Sequence, residues 1–149
     1  MEVKKQPRLN FEGVDIINLS FKSEKPFDGD GDINLDVKPM LYYPDETNTK
    51  IFMILIEVKL KSEGFFDLNL LALGNFMLSD DTDENLGKAL TNANAPAIMF
   101  PYVRSFISTL TANLGNTTTL MVIPTQAFKG TLDIVNQEAF IEQQKVRKK

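Results

Sequence analysis

The sequence predicts an α+β domain, a four-stranded antiparallel sheet with two main helices packed on one of its faces. Three observations point there. Apolar and polar residues alternate along the chain as far as Leu78, which is the spacing of strands. The acidic run from Ser79 to Glu84 then interrupts the pattern. Beyond it, apolar residues recur at the spacing of a helix. With 149 residues, the chain has the length of one domain, spanning 1–149.

In the first strand, within Val14–Lys22, Ile17, Leu19 and Phe21 fall on one face. In the second, Ile33, Leu35 and Val37 alternate with Asn34, Asp36 and Lys38. The third is the clearest. Phe52, Ile54, Ile56, Val58 and Leu60 lie on one face, and Met53, Leu55, Glu57, Lys59 and Lys61 on the other. Ser62-Glu63-Gly64 turns the chain into a fourth strand from Phe65 to Leu78, so the pair reads as a hairpin. Asp83 is placed to cap a short helix through Leu90, and the run from Asn92 to Pro96 is expected to break it. A main helix follows over Ala97–Leu114, with Ile98, Tyr102, Phe106, Leu110 and Leu114 spaced by four. Pro101 belongs in its first turn or at a kink, and Gly115 stops it. Thr118–Ile123 reads as a further extended piece, ended by Pro124. Asn136–Lys149 reads as the second main helix, capped by Asn136 and basic at its negative end. Long strands with apolar residues on both faces call for a cover on the second face, and another subunit is the expected one.

Composition narrows the chemistry. Apolar residues make up 43% and charged residues 24%, as in ordinary globular domains. Sixteen Lys and Arg against 20 Asp and Glu leave a net charge of −4, which argues against a nucleic-acid partner. The chain has no Cys and no His, which removes disulfides, thiolate and imidazole metal sites, and Ser-His-Asp catalysis. The remaining polar groups form no convergent acid–base set, so the expectation is no enzyme, no cofactor and no metal. The N-terminal residues show no apolar signal core, and the longest nearly uncharged apolar stretch, Leu68–Leu78, is about half a membrane span. A soluble, cytoplasmic protein without membrane insertion is expected. Asp28-Gly29-Asp30-Gly31-Asp32 imitates the start of a calcium loop, but Ile33 and Pro39 stand where that loop needs Gly and Glu. It reads as a solvated turn. Asp80, Asp81, Asp83 and Glu84 read as a loop leading into a helix cap, and the basic run Lys145–Lys149 as a solubilised helix end.

The most specific segment is Asn94-Ala95-Pro96-Ala97-Ile98-Met99-Phe100-Pro101-Tyr102-Val103-Arg104. It resembles the signature of the SecB protein-export chaperone family, in which Pro-Asn-Ile-Leu-Phe-Pro-Tyr-Ala-Arg opens the long helix. Phe100-Pro101-Tyr102 and Arg104 match as they stand. Leu120–Pro124 with Phe128 is similar to the family's Leu-Asn-Leu-Ala-Pro-Val-Asn-Phe segment, with one extra residue before Phe128. Leu19-Ser20-Phe21 resembles the family's first strand, and Gly74 with Phe76 its fourth. The resemblance is strong over Asn94–Gly115 and touches most of the chain.

That resemblance implies an ATP-independent holdase, assembled as a dimer of dimers, that serves preprotein export. It implies binding of unfolded or non-native polypeptides in surface grooves lined by apolar and aromatic side chains. Apolar burial is non-directional and suits varied clients, and the six Met residues add adaptable surface. Carried over by position, Phe66, Phe76, Tyr102 and Phe128 are the candidate client-binding residues, with Leu132 and Phe140 beside them. The family's export ATPase, SecA, docks through acidic residues on the exposed sheet face. Here Asn18, Lys22 and Asn69 stand at those positions, and a Lys/Arg-rich end replaces the family's tail. SecB-like relatives also serve as chaperones of antitoxins in toxin–antitoxin systems, a second reading of the same resemblance. A non-catalytic small-ligand-binding domain and a passive structural oligomer remain open beside them.

Overall fold

The alternation of β3 (Ile51–Ser62) and β4 (Phe66–Leu78) sets the architecture. In the computed structural model, which describes residues 8–136, these two strands form the centre of the sheet. Phe52, Ile54, Ile56 and Val58 pair with Phe76, Gly74, Ala72 and Leu70, so both apolar rows share one face. Gly64, with φ +82°, makes the turn between them, where the Phe65 N–H reaches the Ser62 carbonyl at 2.9 Å.

β2 (Asn34–Tyr42) pairs with β3, and β1 (Leu9–Ser23) pairs with β4, both antiparallel. The sheet has five strands, in the order β1-β4-β3-β2-β5, which corrects the expected four antiparallel ones. β5 (Asp133–Val135) runs parallel to Met40–Tyr42 at the β2 edge. Three residues are too few to show an alternation in sequence.

β1 corrects a second expectation. Its register shifts between Phe11 and Val14 and again between Ile16 and Asn18. A bulge inserts one extra residue and exchanges the faces of everything beyond it. Ile16 therefore joins the main core, while Ile17 packs on the opposite face, away from Leu19 and Phe21. Gly13, with φ +114°, supplies the backbone freedom at the first bulge.

The helical region is continuous where a break was expected. Asp83 Oδ1 accepts the Leu86 N–H at 2.7 Å and caps α1 (Glu84–Ala89). A π-helical segment, Leu90–Asn94, then leads straight into α2 (Ala95–Ala112). Pro96 explains the wide turn. It donates no N–H, and its ring crowds the carbonyl of the residue four back. The Ala95 N–H instead reaches the Leu90 carbonyl, five residues back, and the chain stays helical. Pro101 is likewise carried inside α2. Among the described residues this is the one main helix; the second, expected over Asn136–Lys149, lies outside them except for Asn136.

α2 presses Ala95, Met99, Phe100, Val103 and Ile107 onto the central strands. Gly74 makes that approach possible, because a Cβ there would stand 2.8 Å from Met99 Sδ. The opposite sheet face carries a smaller cluster: Met40, Tyr42, Leu55, Leu71 and Leu73. Toward the hairpin end that face becomes charged in matched rows. Lys38 lies opposite Glu57, Asp36 opposite Lys59, and Asp67 between Lys61 and Lys22.

Candidate functional site

After α2, Gly115–Thr117 forms a 3-10 turn, with Gly115 at φ +69°. The chain then returns along the helix in the opposite direction as a strap over residues 118–132. Side chains of the helix hold it. Thr118 Oγ1 donates to the Thr111 carbonyl at 3.3 Å, and the Met121 N–H donates to Thr111 Oγ1 at 2.9 Å. Ser108 Oγ donates to the Met121 carbonyl at 3.0 Å, and Arg104 Nε to the Ile123 carbonyl at 2.7 Å. Phe128 sets its ring against Phe100, with centroids 5.8 Å apart. At the far end the Leu132 N–H donates to Asn92 Oδ1 at 2.8 Å. Among the described residues, no backbone–backbone hydrogen bond outside the strands and helices involves residues 118–131. The expected extended piece Thr118–Ile123 is thus anchored to helix side chains and does not pair as a strand.

The strap turns Met121, Ile123 and Leu132 into the core and leaves Leu120 and Val122 outside, 60% and 59% exposed. Ile98 and Tyr102 of α2 are also exposed, Tyr102 at 57%. Arg104 is the only charged residue between Lys88 and Lys129, and the strap engages its guanidinium. The helix–strap layer is therefore an apolar and hydroxyl surface with almost no charge, an unusual outer layer for a solvated helix.

The six candidate client-binding residues fall in different places. Phe66 and Phe76 are buried, at opposite ends of β4, each 2% exposed. Phe76 belongs to a chain of rings: Tyr102 to Phe11 at 5.1 Å, Phe11 to Phe76 at 5.1 Å, Phe76 stacked on Phe52 at 5.5 Å, then Tyr43 at 6.5 Å. Exposed Tyr102 is thus tied to the core through Phe11. Phe66 meets Phe27 at 5.7 Å under the hairpin end. Phe128 is half-buried on the strap, Leu132 is buried, and Phe140 lies outside the described residues. Sequence reasoning missed Leu120, Val122 and the anchors Asn92, Ser108 and Thr111. Two hydroxyls three residues apart in an apolar helix were the available signal.

Asn18, Lys22 and Asn69 do share a face. Asn18 lies opposite Leu71, Ser20 opposite Asn69 and Lys22 opposite Asp67, on the side away from α2. Asn69 Nδ2 donates to Asp67 Oδ1 at 3.0 Å. An open cleft of about 380 Å³ lies at the start of the helix, lined by Tyr43, Lys50, Thr82, Glu84, Lys88 and Asn92 among others. Its cations are engaged, Lys88 with Glu84 at 3.6 Å and Lys50 with the carbonyls of Ser79 and Asp80. Burial raises the Tyr43 hydroxyl pKa above its ordinary value. No group of three or more acidic side chains able to hold a metal occurs among the described residues. In the acidic turn, Asp28 Oδ1 accepts the N–H groups of Asp30 and Gly31 at 2.8 and 3.1 Å.

A family model described as preprotein translocase subunit SecB matches residues 3–128. The chain belongs to the SecB family. The match covers the four long strands, the helix and most of the strap, and ends at Phe128. Among solved structures the chain is similar to the SecB-like chaperone Rv1957 of Mycobacterium tuberculosis, in complex with a ChAD peptide from the Rv1956 HigA1 antitoxin. The TM-score is 0.64 at 12% identity, over 80% of this chain and 88% of that one. At that identity the likeness is one of fold. Among curated proteins no relative matches. The SecB signature now has physical roles here: Phe100 packs under Phe128, Tyr102 surfaces beside Phe11, and Arg104 ties down the strap. No described helix is long and apolar enough to cross a membrane.

Proposed function

We propose that this SecB-family chain is an ATP-independent holdase for unfolded or non-native polypeptides. The uncharged helix–strap layer carries this reading, with Ile98, Tyr102, Leu120 and Val122 exposed along it. Apolar contact of that kind is sequence-tolerant, as a holder of varied chains requires. Tyr102 and Phe128 lie at the surface of this layer, and Leu132 anchors its far end. Phe66 and Phe76 act behind it, as packed supports. The outward residues Ala97, Pro101 and Ser105 of α2 are small, which suits a helix of a second copy. A cytoplasmic homotetramer without catalysis, as in the family, is the assembly we infer.

For the downstream role, the outer sheet face favours a second reading over export. Asn18, Lys22 and Asn69 replace the acids of a SecA-docking patch, and the neighbouring charges are paired in rows. Such a face offers a basic ATPase-docking segment little attraction. The relative Rv1957 is bound to an antitoxin peptide, so an antitoxin-derived segment is a fitting client for this chain also.

The test is aggregation of a chemically unfolded client at stoichiometric ratio without ATP, alongside the mass of the complex. Suppression by a tetramer with bound client is expected. Undiminished aggregation, with no client in the chaperone peak, sinks the holdase reading. SecA titrated onto the client complex separates the roles: measurable binding favours export, none favours the antitoxin reading.

A further inference from the structure

A sheet face with nothing above it leaves its side chains in contact with water. The face away from α2 does not behave so over its apolar half. Met40, Leu55 and Leu71 are fully buried there, although every residue of their cluster comes from a strand. Glu57, on the same face and opposite Leu71, keeps only 13% of its side chain exposed, whereas Lys59, next along that face, keeps 55%. Lys38 is exposed as well. A cover therefore lies over the apolar half and stops at the charged rows. The described helix and strap cannot be that cover, because Met99, Val103, Ile107, Met121, Ile123 and Leu132 pack on the other face.

The chain itself leads to the covered area. Val135, the last residue of β5, packs against this cluster, so the backbone leaves β5 on this face. Residues 137–149 follow, beyond the end of the SecB family match. At helical spacing Ala139 and Val146 share a stripe with Phe140 at its flank. Thirteen residues of helix span about 20 Å, and five paired strands about 19 Å, so the length suits one crossing of the sheet. The crossing would end on Lys145, Arg147, Lys148 and Lys149, and Asp15 stands exposed at the β1 edge of the same face, opposite Leu73.

We propose that residues 137–149 of the same chain are this cover, lying as an amphipathic helix across the apolar half of the outer sheet face. The second helix expected from sequence then packs opposite α2, not beside it. A partner approaching this face meets the charged rows alone, and it reaches the apolar half only by displacing the segment. A second copy laid sheet to sheet is a poorer occupant, since it would extend over the charged rows, and the burial stops at Glu57. The proposal does not rest on the holdase reading, and its tests use no client.

In the unaltered protein, nuclear Overhauser contacts should join Phe140 or Val146 to the Leu71 or Leu73 methyl groups. Their absence overturns the proposal. The chain has no Cys, so Met53→Cys places a single thiol at the rim of the cluster. Adding Phe140→Asp and Val146→Asp to that full-length chain should speed its reaction with a soluble thiol reagent by about tenfold or more. Adding Gln144→Asp instead should leave the rate within about twofold. Equal rates in all three chains overturn the proposal. Met53→Cys combined with Phe140→Cys identifies the occupant. Oxidation should give a disulfide within one chain. A disulfide only between two chains, or none, overturns the assignment to the chain's own segment.

Discussion

The sheet and the strap are both extended backbone over the same core, but they are held by different chemistry. In the sheet, neighbouring backbones bond to each other, so any side chain that fits its face preserves the ladder. In the strap, four helix side chains do the work of a neighbouring strand: Asn92, Arg104, Ser108 and Thr111. A ladder depends on pattern, whereas a strap depends on identity. The helix signature Asn94–Arg104 contributes one of these anchors, Arg104.

The comparison can be broken first at the sheet. Phe76→Ala removes the ring stacked between Phe11 and Phe52, and a loss of about 3–5 kcal/mol in chemical denaturation is expected. A loss below 1 kcal/mol would mean that the aromatic chain is not part of the core's cohesion. Thr111→Val comes next. It keeps the shape but leaves the Met121 N–H without its acceptor, at a cost of about 1–3 kcal/mol. Exchange at Met121 should accelerate while the β3 and β4 amides keep their protection. Uniform acceleration across the sheet would erase the distinction between the two regions.

Asn92→Ala acts at the junction, where the strap becomes β5. About 1 kcal/mol is expected, with faster exchange at Leu132 and little change in β1. Tyr102→Ser sharpens the contrast between stability and holding. Stability should fall by no more than about 1 kcal/mol, the worth of the ring's contact with Phe11, while suppression of client aggregation weakens. The smallest effect is on pH dependence. Burial raises the Tyr43 pKa, so its neutral form contributes stability fully below the ordinary value of about 10. That contribution is lost as pH rises through the higher folded value, and absorbance titration of the hydroxyl checks it.

The central hairpin was legible because one face of each strand stays apolar at every second residue, Phe52 to Leu60 in β3 and Phe66 to Leu78 in β4, with Gly74 the one gap. The β1 faces were not, because a bulge leaves no mark on alternation except the glycine at position 13. β5 was hidden by its brevity. The helix signature placed Tyr102 and Arg104 correctly on one helix, but it could not say that Arg104 reaches a carbonyl nineteen positions on. Contacts to main-chain carbonyls carry no trace in the residue that supplies the carbonyl. For the same reason Leu120 and Val122 read as an ordinary apolar run, and their outward side chains follow from the bonds that Met121 between them makes to the helix.

The π turn at Leu90–Asn94 has a consequence for length. Buried positions along the helix recur at every fourth residue: Gly87, Thr91, Ala95, Met99, Val103, Ile107 and Thr111. In a regular α-helix four residues overshoot one turn by about 40°, so a stripe at that interval winds steadily around the axis. A wide turn near the middle winds it back, and Gly87 comes to rest against Leu78, 3.6 Å from where its Cβ would stand. Deleting one residue from the π turn would restore a regular helix and rotate everything before it by about 100°, carrying a longer side chain into the space Gly87 now leaves. The residue count between Gly87 and Ala95 is thus an index that keeps both halves of the helix in phase with the sheet.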